Sequence, residues 1–85
     1  MASSGTMKQV ACVGFCRVCR QGRLIIARDR ASGVMYVLCE ECESEWASPE
    51  EIVVNSMPSR DTFGLSTYIT REELKDHPWE GFLEG

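Results

Sequence analysis

Apolar residues cluster in short, partly β-branched runs through the first half of the chain. Gln9-Val10-Ala11-Cys12-Val13 predicts a strand ending near Phe15. Leu24-Ile25-Ile26-Ala27, within Arg23 to Arg28, and Met35-Tyr36-Val37, within Val34 to Leu38, predict two more. Between these two, Asp29-Arg30-Ala31-Ser32-Gly33 is a polar connection with Gly at its end, which suits an antiparallel hairpin. Helical signals come later. Ser48-Pro49-Glu50-Glu51 supplies a capping serine, a proline at the first helical position and a capping-box glutamate. Val53-Val54-Asn55 is a poor continuation, so that helix should be short. Ser56 to Ser66, with Pro58 and Gly64, reads as a surface loop, and Thr67-Tyr68-Ile69 as a brief strand. Thr70-Arg71-Glu72-Glu73 is a second capping box, leading a short helix through Leu74 to about His77. Pro78 interrupts it, and Trp79 to Leu83 can form one last turn.

These elements make one small α+β domain over residues 8–85, behind a small, polar leader or tag at residues 1–7. A chain of 85 residues buries only a little over ~60% of the surface its unfolded form exposes, so it benefits from a staple. The cysteines supply one. Cys16-Arg-Val-Cys19 and Cys39-Glu-Glu-Cys42 are two pairs of thiols with nineteen residues between them. One such pair also occurs in redox enzymes, but two at this separation match a zinc-site spacing. Each tight turn aims two sulfurs at one point, and the hairpin brings the second turn beside the first to complete a tetrahedron. Gly14 and Gly22 flank the first turn and give its backbone freedom. Four thiolates leave no open coordination position, so the expected ion is structural zinc and the expected protein is not an enzyme. Iron in a rubredoxin-like site uses the same ligands, but the turns lack the Pro and Gly that decorate such sites.

Five cysteines is an odd count, and neither a signal peptide nor a bilayer-spanning apolar run is present in the sequence. A reducing, cytoplasmic compartment is the expectation, with no membrane partner. Cys12, the extra thiol, reads as a core residue. The single histidine, His77, is far from Cys12 in sequence, so a Cys12–His77 nucleophile pair has little support.

Charge is lopsided. Residues 1–30 hold six cations (Lys8, Arg17, Arg20, Arg23, Arg28 and Arg30) against Asp29 alone; residues 31–85 hold three cations against twelve acids. A net charge of −4 is a poor basis for non-specific nucleic-acid binding and a better one for meeting a basic protein. Glu40, Glu41, Glu43, Glu45, Glu50 and Glu51 are the candidate contact residues, with Trp79 a candidate anchor. Trp46, four residues past Cys42, is expected to pack over the metal turn. The arginines around the first pair could meet phosphates, but no aromatic residue interleaves with them as single-strand binding favours.

The segment from Cys16 to Cys42 resembles a zinc ribbon, two cysteine knuckles joined through antiparallel strands. That resemblance implies transcription, translation or RNA-modifying machinery as a setting, with nucleic acid as an alternative partner. The whole chain, acidic and with Pro- and Trp-marked helical ends, also looks like bacterial immunity proteins that neutralise a cognate toxin. This second likeness implies an inhibitor or adaptor that covers a basic, nuclease-like surface.

Overall fold

The computed structural model describes residues 10–60, 62 and 64–84; the leader expected at residues 1–7 lies outside them. Five strands form one antiparallel sheet: β1 (Cys12–Phe15), β2 (Arg23–Asp29), β3 (Met35–Cys39), β4 (Glu45–Trp46) and β5 (Ser66–Tyr68). β2 is the central strand. β3 runs along one edge of it, and β4 lies beyond β3. Along its other edge, β1 pairs with the first half of β2 and β5 with the second.

The β2–β3 register, Leu24 opposite Cys39 through Arg28 opposite Met35, is the hairpin expected from the five-residue connection. Because directly paired residues share a face, it sorts the apolar residues into two layers. Leu24, Ile26, Val37 and Cys39 face one side, where Ala11, Cys16, Trp46, Ile69 and Leu74 complete a buried cluster. Ile25, Ala27 and Tyr36 face the other side and are also buried. A strand buried on both faces reads as a continuous apolar run, which is what Leu24-Ile25-Ile26-Ala27 is. β4 was not expected; two residues are too few to leave a periodic signal. In β1, Cys12 pairs with Ile25 and Phe15 with Arg23, so one extra residue bulges out, and Gly14 takes the positive φ of 137° found there.

An α-helix follows, α1 (Pro49–Val53). Pro49 starts it as expected, but the Ser48 side chain makes no cap bond; Glu51 Oε1 instead accepts the Ala47 N–H at 3.0 Å. The first C-terminal segment is shorter than the helix expected to reach about His77, while the second is a turn near the one expected at Trp79 to Leu83. They are single 3-10 turns, Glu72–Leu74 and Pro78–Phe82. The second capping box does form, with Thr70 N–H on Glu73 Oε1 at 2.9 Å and Glu73 N–H on Thr70 Oγ1 at 3.2 Å. Yet Lys75 is already extended in ψ and Asp76 has a φ of 65°, so no second turn follows. Pro78, lacking an N–H, then forces a fresh start, where His77 Nδ1 accepts the Trp79 N–H at 3.0 Å. Trp79 and Leu83 pack on the core cluster from this segment. No helix among the described residues is long and apolar enough to cross a membrane.

Candidate metal centre

The hairpin sets the end of β3 beside the start of β2, and this juxtaposition assembles the four cysteines. Their sulfurs all lie within 4.8 Å of one another. Cys16 Sγ is 3.7 Å from Cys42 Sγ, and Cys19 Sγ is 3.6 Å from Cys39 Sγ. Four sulfurs bound tetrahedrally at about 2.3 Å from one ion stand about 3.8 Å apart. The donor set and spacing therefore fit a metal ion held entirely by sulfur. No disulfide links them.

Each knuckle is built by the same backbone rule. Arg20 N–H bonds Cys16 carbonyl at 3.0 Å, and Glu43 N–H bonds Cys39 carbonyl at 3.1 Å. The residue after the second cysteine is left-handed in both, Arg20 at φ 60° and Glu43 at φ 64°. Val18 N–H points at Cys16 Sγ from 3.3 Å, and Glu41 N–H at Cys39 Sγ from 3.4 Å. Each knuckle closes onto its own exit: Cys16 N–H bonds Gly22 carbonyl at 2.9 Å, and Cys39 N–H bonds Ser44 carbonyl at 3.0 Å. Amides aimed at sulfur stabilise the thiolate form, the form that binds metal.

The sulfurs differ in environment. Backbone amides of Gln21 and Gly22 hold the Cys19 thiol below its ordinary value. Burial acts to raise Cys42, but the Ser44 hydroxyl at 3.2 Å, the Ser44 amide and the neighbouring sulfurs outweigh it and bring the group down to about 6. Burial pushes Cys39 up to about 12. Packed this closely, four sulfurs do not all ionise on their own. A cation at their centre would supply the compensating charge, and binding it would release protons.

Gly22 decides how closely the knuckles approach. A Cβ placed there would stand 2.6 Å from Cys39 Sγ and 2.8 Å from Glu41 Cγ, so no larger residue fits without moving a ligand. The sequence reading gave Gly22 conformational freedom only; its role in contact was not legible. Ser44 was also missed, although Ser44 follows Cys42 at the interval by which Gln21 follows Cys19, which is a usable signal.

Comparison with family models, with curated proteins and with solved structures gives no match. The site must speak through its own chemistry.

The other candidate residues scatter. Glu40 is turned inward on the first knuckle's exit strand: its carboxylate takes Arg23 Nε at 2.9 Å, Arg23 Nη2 at 3.1 Å and the Arg23 amide at 3.0 Å. That contact holds Glu40 below the usual carboxylate range and raises Arg23. Glu45 is buried in β4, and Glu51 is occupied at the start of α1. Glu41, Glu43 and Glu50 are exposed. Trp79 lies half-buried, edge-on to His77 with ring centres 5.6 Å apart. Trp46 sits in the cluster that includes Cys16 and Cys39, its indole N–H on the Ser56 carbonyl at 3.1 Å. Among the arginines, Arg17 bonds the Ile52 carbonyl at 3.0 Å and Asn55 Oδ1, and Arg28 lies 3.6 Å from Glu73. His77 spends Nδ1 on the Trp79 amide, and Cys12 Sγ is 3.5 Å from Gly14 carbonyl oxygen.

Proposed function

We propose that this chain is a structural-zinc module that binds a protein through its acidic surface, as an inhibitor or adaptor of the kind that immunity proteins represent. Zinc is the favoured ion because tetrahedral all-sulfur shells select zinc or iron, and zinc needs no redox partner. A closed shell offers substrate no coordination position, which supports a binding role over an enzymatic one.

The observation that carries the partner reading is the imbalance between engaged cations and open anions. Arg17, Arg23 and Arg28 each lie against an oxygen acceptor of the same chain. Glu41, Glu43 and Glu50 project from the second knuckle and α1 into solvent. A basic partner is attracted by such a surface, where Arg23 and Arg28 are matched by Glu40 and Glu73, and charge of this kind acts mainly on encounter rate.

The test is kinetic. Glu41→Lys, Glu43→Lys and Glu50→Lys together should lower the association rate for a basic partner about tenfold or more, more at low salt than at high. An unchanged rate rejects the acidic surface. Affinity for RNA or DNA that falls steeply with salt would instead favour the nucleic-acid reading through Arg20 and Arg30.

A further inference from the structure

The sheet face opposite the core cluster is not fully covered. Tyr36, Ala27 and Tyr68 share that face through direct pairing across β3, β2 and β5. Leu38 and Glu45, a pair across β3 and β4, lie beside them. Above these residues is a cavity of about 590 Å³, walled by Tyr36, Leu38, Glu43, Glu45, Leu65 and Tyr68. Volumes of this order suit a specific ligand group.

Its chemistry is uneven. Glu40 also reaches the cavity, but its charge is met by Arg23. Glu45 is only 5% exposed, one of its carboxylate oxygens takes the Thr62 N–H at 3.1 Å, and no cation pairs with it among the described residues. A buried carboxylate without a counter-charge is costly, and a cation brought beside it removes that cost. Tyr68, Leu38 and Leu65 add apolar surface around the same space, where an alkyl stem can lie and an aromatic face can meet a cation.

We infer that this cavity receives a cationic side chain, lysine or arginine, from a basic protein partner. The charged end pairs with Glu45 and Glu43, and the stem lies against Tyr68 and Leu38. The inference rests on the protein-binding reading above and names the seat of that contact. A side chain fits better than a free polyamine, because the single buried carboxylate marks one terminus and Leu38, Leu65 and Tyr68 offer apolar surface to a stem.

The test uses the metal-loaded full chain, isotope-labelled for NMR, and three probes: a blocked tetrapeptide carrying one arginine and one lysine, its glutamine counterpart, and spermidine. The basic peptide should shift the signals of Tyr36, Leu38, Glu45 and Tyr68 saturably, and the glutamine peptide should not. Glu45→Gln should weaken the peptide about tenfold and Tyr68→Ala about threefold. Glu80→Gln, equal in charge change but remote from the cavity lining, should leave it within about twofold. Glu43→Gln serves as a second variant should Glu45→Gln alter the fold, which unchanged metal content and spectra check. Shifts centred on Glu41 and Glu50, or an equal loss from Glu80→Gln, overturn the cavity while leaving the acidic-surface reading intact. Spermidine binding as tightly as the peptide overturns the side-chain assignment. A basic partner that still binds while the peptide does not sinks the cavity alone.

Discussion

The β2–β3 hairpin is fastened at both ends, by different chemistry. At the end where Leu24 meets Cys39, the fastening is four sulfurs from two knuckles. At the turn end, it is one carboxylate. Asp29 Oδ2 takes the Ser32 amide at 2.9 Å and the Ser32 hydroxyl at 2.7 Å, while Oδ1 takes the Gly64 amide at 3.2 Å. The turn end is therefore complete in protein atoms alone, and it also ties the loop before β5 to the hairpin. The cysteine end offers four sulfurs at a spacing that suits an ion. Stability that comes from within the chain and stability that a ligand would lend thus lie at opposite ends of the same two strands.

Removing the ion should have the largest effect. Apparent zinc-binding energies of roughly 10–16 kcal/mol in zinc-finger peptides exceed the stability of most small domains. A strong chelator should abolish the cooperative thermal transition followed by circular dichroism, and equimolar zinc should restore it. A chelated chain that keeps its transition would mean that the apolar cluster holds the two strands unaided. The next effect is local to the same end. Gly22→Ala forces a methyl group against Cys39 Sγ, and displaced or misoriented ligands typically lose about 10–100-fold in metal affinity. Competition with a chromophoric chelator measures this, and the loss should not appear in Gly81→Ala, where an added Cβ meets nothing within 4 Å.

Acid separates the two ends. The Ser32 hydroxyl and amide hold the Asp29 carboxyl below the usual carboxylate range. Its stabilising contribution is full above the unfolded value and is lost only as pH falls through the lower folded value. Metal binding weakens earlier, because protons compete for thiolates. On lowering the pH, ion release and loss of the fold should therefore coincide. The stability difference between wild type and Asp29→Asn should stay constant until that point. A difference that shrinks while the ion is still bound would place the first failure at the turn.

Much of this was legible in the residues. The cysteine spacing singled out the four thiols that the fold brings together because a knuckle is local: four residues and an αL position define it wherever it occurs. The hairpin was legible because Leu24 to Ala27 and Met35 to Val37 are apolar runs with a polar connection between them. The first C-terminal turn was read as longer than it is because Thr70 and Glu73 form their box but a capping box starts a helix without continuing it. Glu40 and Glu45 were read as surface acids because charge is visible in sequence and burial is not. Their partners, the Arg23 guanidinium and the Thr62 amide, lie seventeen residues away in each case.

The smallest expected effect concerns Arg23 and Glu40, which cross-link the exit of the first knuckle to the second. Their forked contact is 2.9 Å at its shorter arm, with side chains 43% and 23% exposed. Exposed ion pairs of this kind contribute roughly 0.2–1 kcal/mol, far less than the ion they flank. Arg23→Gln should therefore lower the thermal midpoint only slightly, and Glu40→Ala should lower it more than Glu40→Gln, because Glu40 also accepts the Arg23 backbone amide and only glutamine keeps an oxygen for that bond. Glu40 is held below the usual carboxylate range by Arg23, so the pair's contribution is present above the unfolded value and fades as pH falls through the folded one. A double-mutant cycle read by chelator competition isolates the coupling. If that coupling appears in metal affinity as well as in unfolding, the pair positions the second knuckle. If it appears in unfolding alone, the knuckles set their own geometry and the ion end of the hairpin needs nothing from its charged flank.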